Sequence, residues 1–263
     1  MAAIGGRINL LSISVKKKTI LRLLLLPLML SANTALAVED APTPLQSSGD
    51  ITGWQLAKED KTHDIKAWQK PEKNAENKTV RYFKLDYIVD ADLETTGLAY
   101  MDIENWARWW WKVKEVRMLK MTSPYDFIFY LTHQAPVANP DRDAIISVHV
   151  EPYNKHKGYA TMTMKALPDY LPAKPGQAQM QAEDMTAKFT PRDSTHTRVE
   201  LEGYIDPSGN MPDWSVTFLQ RQAPYSTALG FQRWAKSRQD YYRGPYKEKN
   251  AANSYPTLMS LNN

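Results

Sequence analysis

Residues 198–229 read RVELEGYIDPSGNMPDWSVTFLQRQAPYSTAL, and the change of period inside this stretch decides the fold. Up to Ile205 the side chains alternate, with Val199, Leu201, Gly203 and Ile205 on one parity and Arg198, Glu200, Glu202 and Tyr204 on the other. Alternation of this kind is a strand with one dry and one wet face. Asp206-Pro207-Ser208-Gly209 forms a turn. Pro212 then suits a first helical turn, where a missing N–H costs nothing. From there to about Arg238 the period is helical, and Trp214, Phe218, Tyr225 and Leu229 share one face. Pro224 stands in mid-helix and is expected to kink it.

Upstream the pattern is mostly strand. Residues 142–150 place Ala144, Ile146, Val148 and Val150 on one face and Asp143, Ser147 and His149 on the other. Residues 158–165 pair naturally with them and align Ala160, Met162 and Met164. Further strands read over 65–69, 80–88, 113–121, 127–131 and 180–189, with helical segments over 91–100 and 104–111. The turn 74–78 separates the first two strands. The expected architecture is α+β: a curved antiparallel sheet with a long amphipathic helix across its dry face. Residues 38–50 read as a flexible leader and 244–263 as a loose tail, since neither has an apolar face.

The first 37 residues are a targeting segment. Arg7 and Lys16-Lys17-Lys18 precede an apolar run from Ile20 to Leu30, and Ala35-Leu36-Ala37 has the small-residue pattern of signal-peptide cleavage. Cleavage before Val38 predicts export to the periplasm. Removing the five basic residues of that segment from 33 Lys and Arg leaves 28 against 29 Asp and Glu, a formal charge of −1. So balanced a domain has no electrostatic footprint for nucleic acid. The absence of cysteine excludes disulfides, thiolate metal sites and cysteine nucleophiles together.

Three local signatures resemble the START family of lipid-binding domains. Trp54-Gln55-Leu56-Ala57-Lys58 with Asp64-Ile65-Lys66-Ala67-Trp68 is similar to the family's Trp-led opening and short first strands. Pro136-Val137-Ala138-Asn139-Pro140-Asp141-Arg142-Asp143 resembles its Pro-Val-x-x-Arg-Asp lead into a central strand. Asp206-Pro207-Ser208-Gly209-Asn210-Met211-Pro212-Asp213-Trp214 is close to its Asp-Pro-Gly-Gly-x-Ile-Pro-x-Trp before the last helix, with Ser208 in place of a glycine. The resemblance spans about Trp54 to Arg238, here delimited as a domain over 51–243. It implies a helix-grip fold enclosing a deep apolar cavity sized for one lipid, with no cofactor. Sterol-carrying relatives often bury a charged pair, and the positions that would supply its basic member here hold Ile146 and Val148. That disfavours a sterol.

The candidate ligand-contacting residues follow from inward parity under that resemblance. They are Tyr130; Arg142, Ala144, Ile146 and Val148; Met162 and Met164; Leu201 and Gly203; and Trp214, Phe218 and Tyr225 on the helix. Met162 and Met164 are soft enough to fit a ligand of unfixed shape, or they pack as solid core. Gly203 marks close approach by helix or ligand. Arg142 points inward and needs a partner, either Asp141 or Asp206 structurally or a polar headgroup. Trp106, Trp109, Trp110 and Trp111 cannot all face inward, and an exposed one could touch a membrane surface. No metal spacing joins the five histidines; His133 alone suits acid–base chemistry, and a structural role suits it better. The leading expectation is a monomeric carrier that holds a lipid or other hydrophobic small molecule, meets membranes transiently and is not an enzyme. The alternatives are a cyclase- or hydrolase-like enzyme on the same fold and a module that binds another envelope protein.

Overall fold

The alternating segments assemble into one sheet. The structure, a computed structural model, describes residues 53–73, 79–135, 139–208, 211, 213–253 and 255–260, without the side chains of Thr79, Asp213 and Trp214. The targeting segment, the leader and the turn at 74–78 lie outside the described residues. The strands are β1 (Gln55–Asp60), β2 (Ile65–Lys73), β3 (Thr79–Val89), β4 (Val113–Ser123), β5 (Asp126–His133), β6 (Arg142–Asn154), β7 (Tyr159–Ala166), β8 (Ala178–Gln179), β9 (Ala182–Pro191) and β10 (Thr197–Asp206). The helices are α1 (Leu93–Met101), α2 (Asp213–Ser237), α3 (Gln239–Arg243) and α4 (Pro245–Asn253), with a 3-10 turn at Ile103–Arg108. The sheet order is β1-β2-β3-β10-β9-β7-β6-β5-β4, and the two-residue β8 joins β6. All pairings are antiparallel except that of β8. The fold is α+β, a sheet gripping a long C-terminal helix.

Inward parity holds along the central strands. Phe83, Leu85 and Tyr87 of β3, Val199 and Leu201 of β10, and Ala160, Met162 and Met164 of β7 are all buried in one apolar core. Asp92 caps α1, its carboxylate accepting from the Thr95 N–H at 2.8 Å. Trp106, Trp109 and Trp110 are buried. The Trp106 indole N–H donates to the Tyr100 carbonyl at 2.6 Å, which satisfies its polar edge in the core. Trp111 is half-buried.

Helix α2 runs unbroken through Pro224, and its buried face overlaps only in part with the one the aromatic residues suggest. The residues turned to the core are Ser215, Gln220, Pro224, Tyr225, Thr227, Ala228, Phe231 and Ala235, with Leu229 packed against it. Small and polar side chains occupy that face because the sheet supplies their partners. Gln220 donates to the Ile205 carbonyl at 3.1 Å, and Gln232 donates to the carbonyls of His63 and Ile88, both at 2.7 Å. Phe218 lies on the opposite side and is 48 % exposed.

The described residues between 244 and 260 do not form a loose tail. α4 follows α3 directly, and Tyr246 and Leu258 are buried. The Tyr153 N–H donates to the Leu258 carbonyl at 2.8 Å, and the Tyr125 hydroxyl to the Met259 carbonyl at 3.2 Å. An apolar period cannot be seen in this stretch because its anchors, Tyr246 and Leu258, are separated by mostly polar residues.

Candidate functional site

Between the inner face of the sheet and α2 lies an apolar cavity. Phe83, Met185, Leu201 and Ile205 line it from the sheet, Leu219, Ala223, Pro224 and Thr227 from α2, and Trp110 and Trp111 close one side. Its free volume is about 60 Å³. That admits a few water molecules, whereas pockets for small-molecule ligands hold roughly 300–1,000 Å³. A second space opens between α2 and β1–β3, about 580 Å³, lined by Trp68, Leu85, Phe218 and Arg221 among others. Phe83 and Pro224 border both spaces.

One end of the cavity is polar. His133 of β5 sits against Glu183 of β9, its Nε2 3.0 and 3.2 Å from the two carboxylate oxygens. The Glu183 side chain is 1 % exposed. Burial pushes the His133 imidazole down; the charge and hydrogen bond of Glu183, with a backbone hydrogen bond at Trp111, outweigh it and hold the pKa above the ordinary value. The pair therefore forms an ion pair whenever the imidazole is protonated, inside an apolar wall. Arg142 lines the same cavity and is buried. Its Nε donates to the Pro207 carbonyl at 3.0 Å, and its Nη1 to the Pro140 carbonyl.

The structure distributes the sequence-predicted residues widely. Arg142 and Leu201 line the cavity. Ala144, Ile146, Val148, Met162 and Met164 face inward but are packed solid in the core, apart from its walls. Gly203 does mark a close approach, though by the neighbouring strand: an added Cβ would lie 2.1 Å from the Asp184 carbonyl oxygen. Tyr130 has the parity opposite to Phe129 and Leu131, and its hydroxyl meets Thr132 at 2.8 Å and Gln177 at 3.1 Å on the sheet's other face. Lys174 covers its ring at 3.9 Å. Phe218 borders the outer space, 6.4 Å from Trp111 between ring centroids. Tyr225 turns to β1, where its hydroxyl donates to Asp60 at 2.5 Å and Lys58 lies over its ring. The Trp214 side chain lies outside the described residues.

One expectation needs correction here. Ile146 and Val148 supply no charged group, yet the cavity holds a titratable pair, because β5 and β9 supply it instead. Of the two expected partners of Arg142, Asp141 acts on it through its charge while bonding Lys114 at 2.6 Å and the Ala135 N–H, and Asp206 accepts from the Ser208 N–H at 2.9 Å. Glu183, Met180 and Met185 were not singled out from the sequence. The alternation of β9 carries the signal, since Glu183 shares parity with Met185, Ala187 and Phe189. Ser208, where the motif has glycine, adopts the left-handed φ of 53° that the turn demands.

No family model matches the chain. An uncharacterized protein of Pseudomonas aeruginosa is 25 % identical over 150 residues, covering 57 % of this chain and 73 % of that one. Among solved structures, a STAR-related lipid transfer protein fragment from Xanthomonas axonopodis superposes with a TM-score of 0.60 at 23 % identity, over 70 % of this chain and 99 % of that one. Human STARD10 gives 0.61 at 16 % identity over 80 % and 86 %, and human StAR-related lipid transfer protein 5 gives 0.60 at 16 % over 72 % and 88 %. At these identities the likeness is one of fold, and the fold of this chain is that of the START domains.

Proposed function

We propose that this protein binds a lipid or other hydrophobic small molecule between sheet and α2, and serves as an exported periplasmic carrier. The observation that carries the reading is the pair of spaces under the amino-terminal half of α2, both bordered by Phe83 and Pro224. Methionines at 180, 185 and 211 line the inner one, and their unbranched side chains can re-pack around a guest. Native mass spectrometry of protein purified from its own host tests this directly. A co-purifying apolar molecule supports it; protein that is uniformly empty and fails to take up lipid from vesicles refutes it. Export is tested by sequencing the amino terminus of protein from the periplasmic fraction, expected to begin at Val38. A membrane-retained chain with residues 1–37 intact would refute that part alone.

The His133–Glu183 pair favours a second reading, an enzyme on the same fold acting on an apolar substrate. A histidine held by a carboxylate in a closed site suits general acid–base chemistry. The molecule found by mass spectrometry separates the readings: incubation with fresh protein leaves a carried ligand unchanged, whereas a substrate is converted and His133→Gln stops the conversion.

A further inference from the structure

A third space, about 330 Å³, opens at the β4 edge of the sheet, between that strand, the 3-10 turn and α4. It shares no lining residue with the two under α2, and its volume falls in the range of small-molecule pockets. Asp102, at the junction of α1 and the 3-10 turn, lines it although only 2 % exposed. The Tyr242 hydroxyl at 2.9 Å and the Asn105 side-chain amide at 2.8 Å both donate to its Oδ2. Among the described residues Oδ1 accepts no hydrogen bond and no cation forms a salt bridge with the carboxylate. Burial pushes the Asp102 carboxyl up, against both hydrogen bonds. A buried carboxylate so incompletely answered gains from a cation. The walls suit one: the rings of Tyr246 and Tyr255 and the half-exposed thioethers of Met118 and Met121. Aromatic faces attract cations, and thioethers adapt to an apolar body. The chain's own ammonium shows the preference. Lys249 Nζ lies 5.3 Å from the Tyr255 ring centroid and 3.8 Å from Glu104 at the rim, and its charge acts on Asp102 from beyond salt-bridge distance. Arg117, the other cation at this pocket, has its guanidinium drawn over the Tyr130 ring, 5.3 Å away.

We propose that this pocket binds a small organic ammonium ion with an apolar body, its N–H directed at Asp102 Oδ1 and its body held between the tyrosine rings and the two methionines. Glu104 adds a second negative charge at the rim, and Lys249 is the tethered competitor that the ligand displaces. Occupancy here is independent of what the cavity under α2 holds.

Three probes with one carbon skeleton decide it, titrated by calorimetry into the purified full-length chain at neutral pH. They are 3-phenylpropylammonium, 3-phenylpropanol and 3-phenylpropanoate. The ammonium is expected to bind about tenfold or more tightly than the alcohol, and the carboxylate least tightly of the three. Asp102→Asn keeps the shape and an acceptor for Tyr242, and is expected to bring the ammonium down to the level of the alcohol. Lys249→Gln removes the competitor and is expected to tighten ammonium binding severalfold, an effect that a general weakening of the fold does not produce. Equal affinity for ammonium and alcohol, binding of neither, or a preference for the carboxylate overturns the site. So does an ammonium affinity untouched by Asp102→Asn or not improved by Lys249→Gln. If Asp102→Asn does not fold, the wild-type comparison and Lys249→Gln still decide.

Discussion

His133 is the residue whose charge state is easiest to test. Its folded pKa lies above the ordinary imidazole value of about 6.5. A raised folded value means that the proton stabilises the native state fully below about pH 6.5 and ceases to do so as pH rises through the folded pKa. The Tm gap between wild type and His133→Gln is therefore expected to be largest near pH 6 and to shrink toward pH 9. A gap independent of pH would show that the imidazole is neutral in the folded protein. Gly230 makes a second test at this scale. An added Cβ there would lie 2.3 Å from the Trp109 carbonyl oxygen, which belongs to the backbone and cannot swing away. Glycine to alanine inside a helix ordinarily gains up to about 1 kcal/mol. Here the sign reverses, and Gly230→Ala is expected to lose about 1–3 kcal/mol in urea denaturation through forced backbone displacement.

Helix α2 behaves as two halves with different anchoring. Beyond Pro224, Phe231 packs on Tyr100 at 4.8 Å and on Trp109 at 4.9 Å, Gln232 holds two sheet carbonyls, and Lys236 pairs with Asp90 at 2.8 Å. Before Pro224 the helix overlies the open space of about 580 Å³. Pro224 has no N–H to give, so the helix is weakest where the two halves meet. The latch at that junction is Tyr225, whose hydrogen bond, with that of His63, holds Asp60 down to about 2. Tyr225→Phe is expected to raise the Asp60 pKa toward its ordinary value in an NMR titration and to speed lipid transfer between vesicles. A disulfide from the 217–223 segment to β2, built with a Cα separation under about 7 Å in a chain with no cysteine of its own, is expected to stop transfer until it is reduced. Transfer at an unchanged rate with the crosslink intact would place the entrance elsewhere, for instance beside Trp111.

For the molecule as a whole, the last described residues close the core. Leu258 is fully buried against α1, its Cβ 3.0 Å from the position a side chain on Gly97 would take. The Thr257 N–H donates to the Pro124 carbonyl, so the chain end bridges β6 and the β4–β5 turn. Removing everything beyond Gly244 is expected to lower Tm by roughly 4 °C or more, since losing one buried leucine alone costs about 2–5 kcal/mol and a domain of this size shifts about 2–4 °C per kcal/mol. An unchanged Tm would mean that the segment merely rests on the surface.

What the sequence determined by itself is most of the strands from 65 onward, the inward parity of β6, β7 and β10, and a long helix from Pro212 to about Arg238, observed as Asp213–Ser237. Each is a local matter: alternation, turn residues and a helical period are written within a dozen neighbouring positions. What only the tertiary structure decided is the site. Ile146 and Met162 face the same way as Leu201, and only Leu201 borders free space, because a void lies where opposing elements fail to meet rather than where one strand is apolar. The phase of α2 was only partly legible for a related reason. Carbonyls of β10, the β1–β2 turn and β3 accept from Gln220 and Gln232, and with these contacts Phe218 is turned outward while Tyr225 stays buried. The hydrogen-bonded pair of His133 and Glu183 joins positions 50 residues apart, which no local pattern connects; the sheet register brings them together.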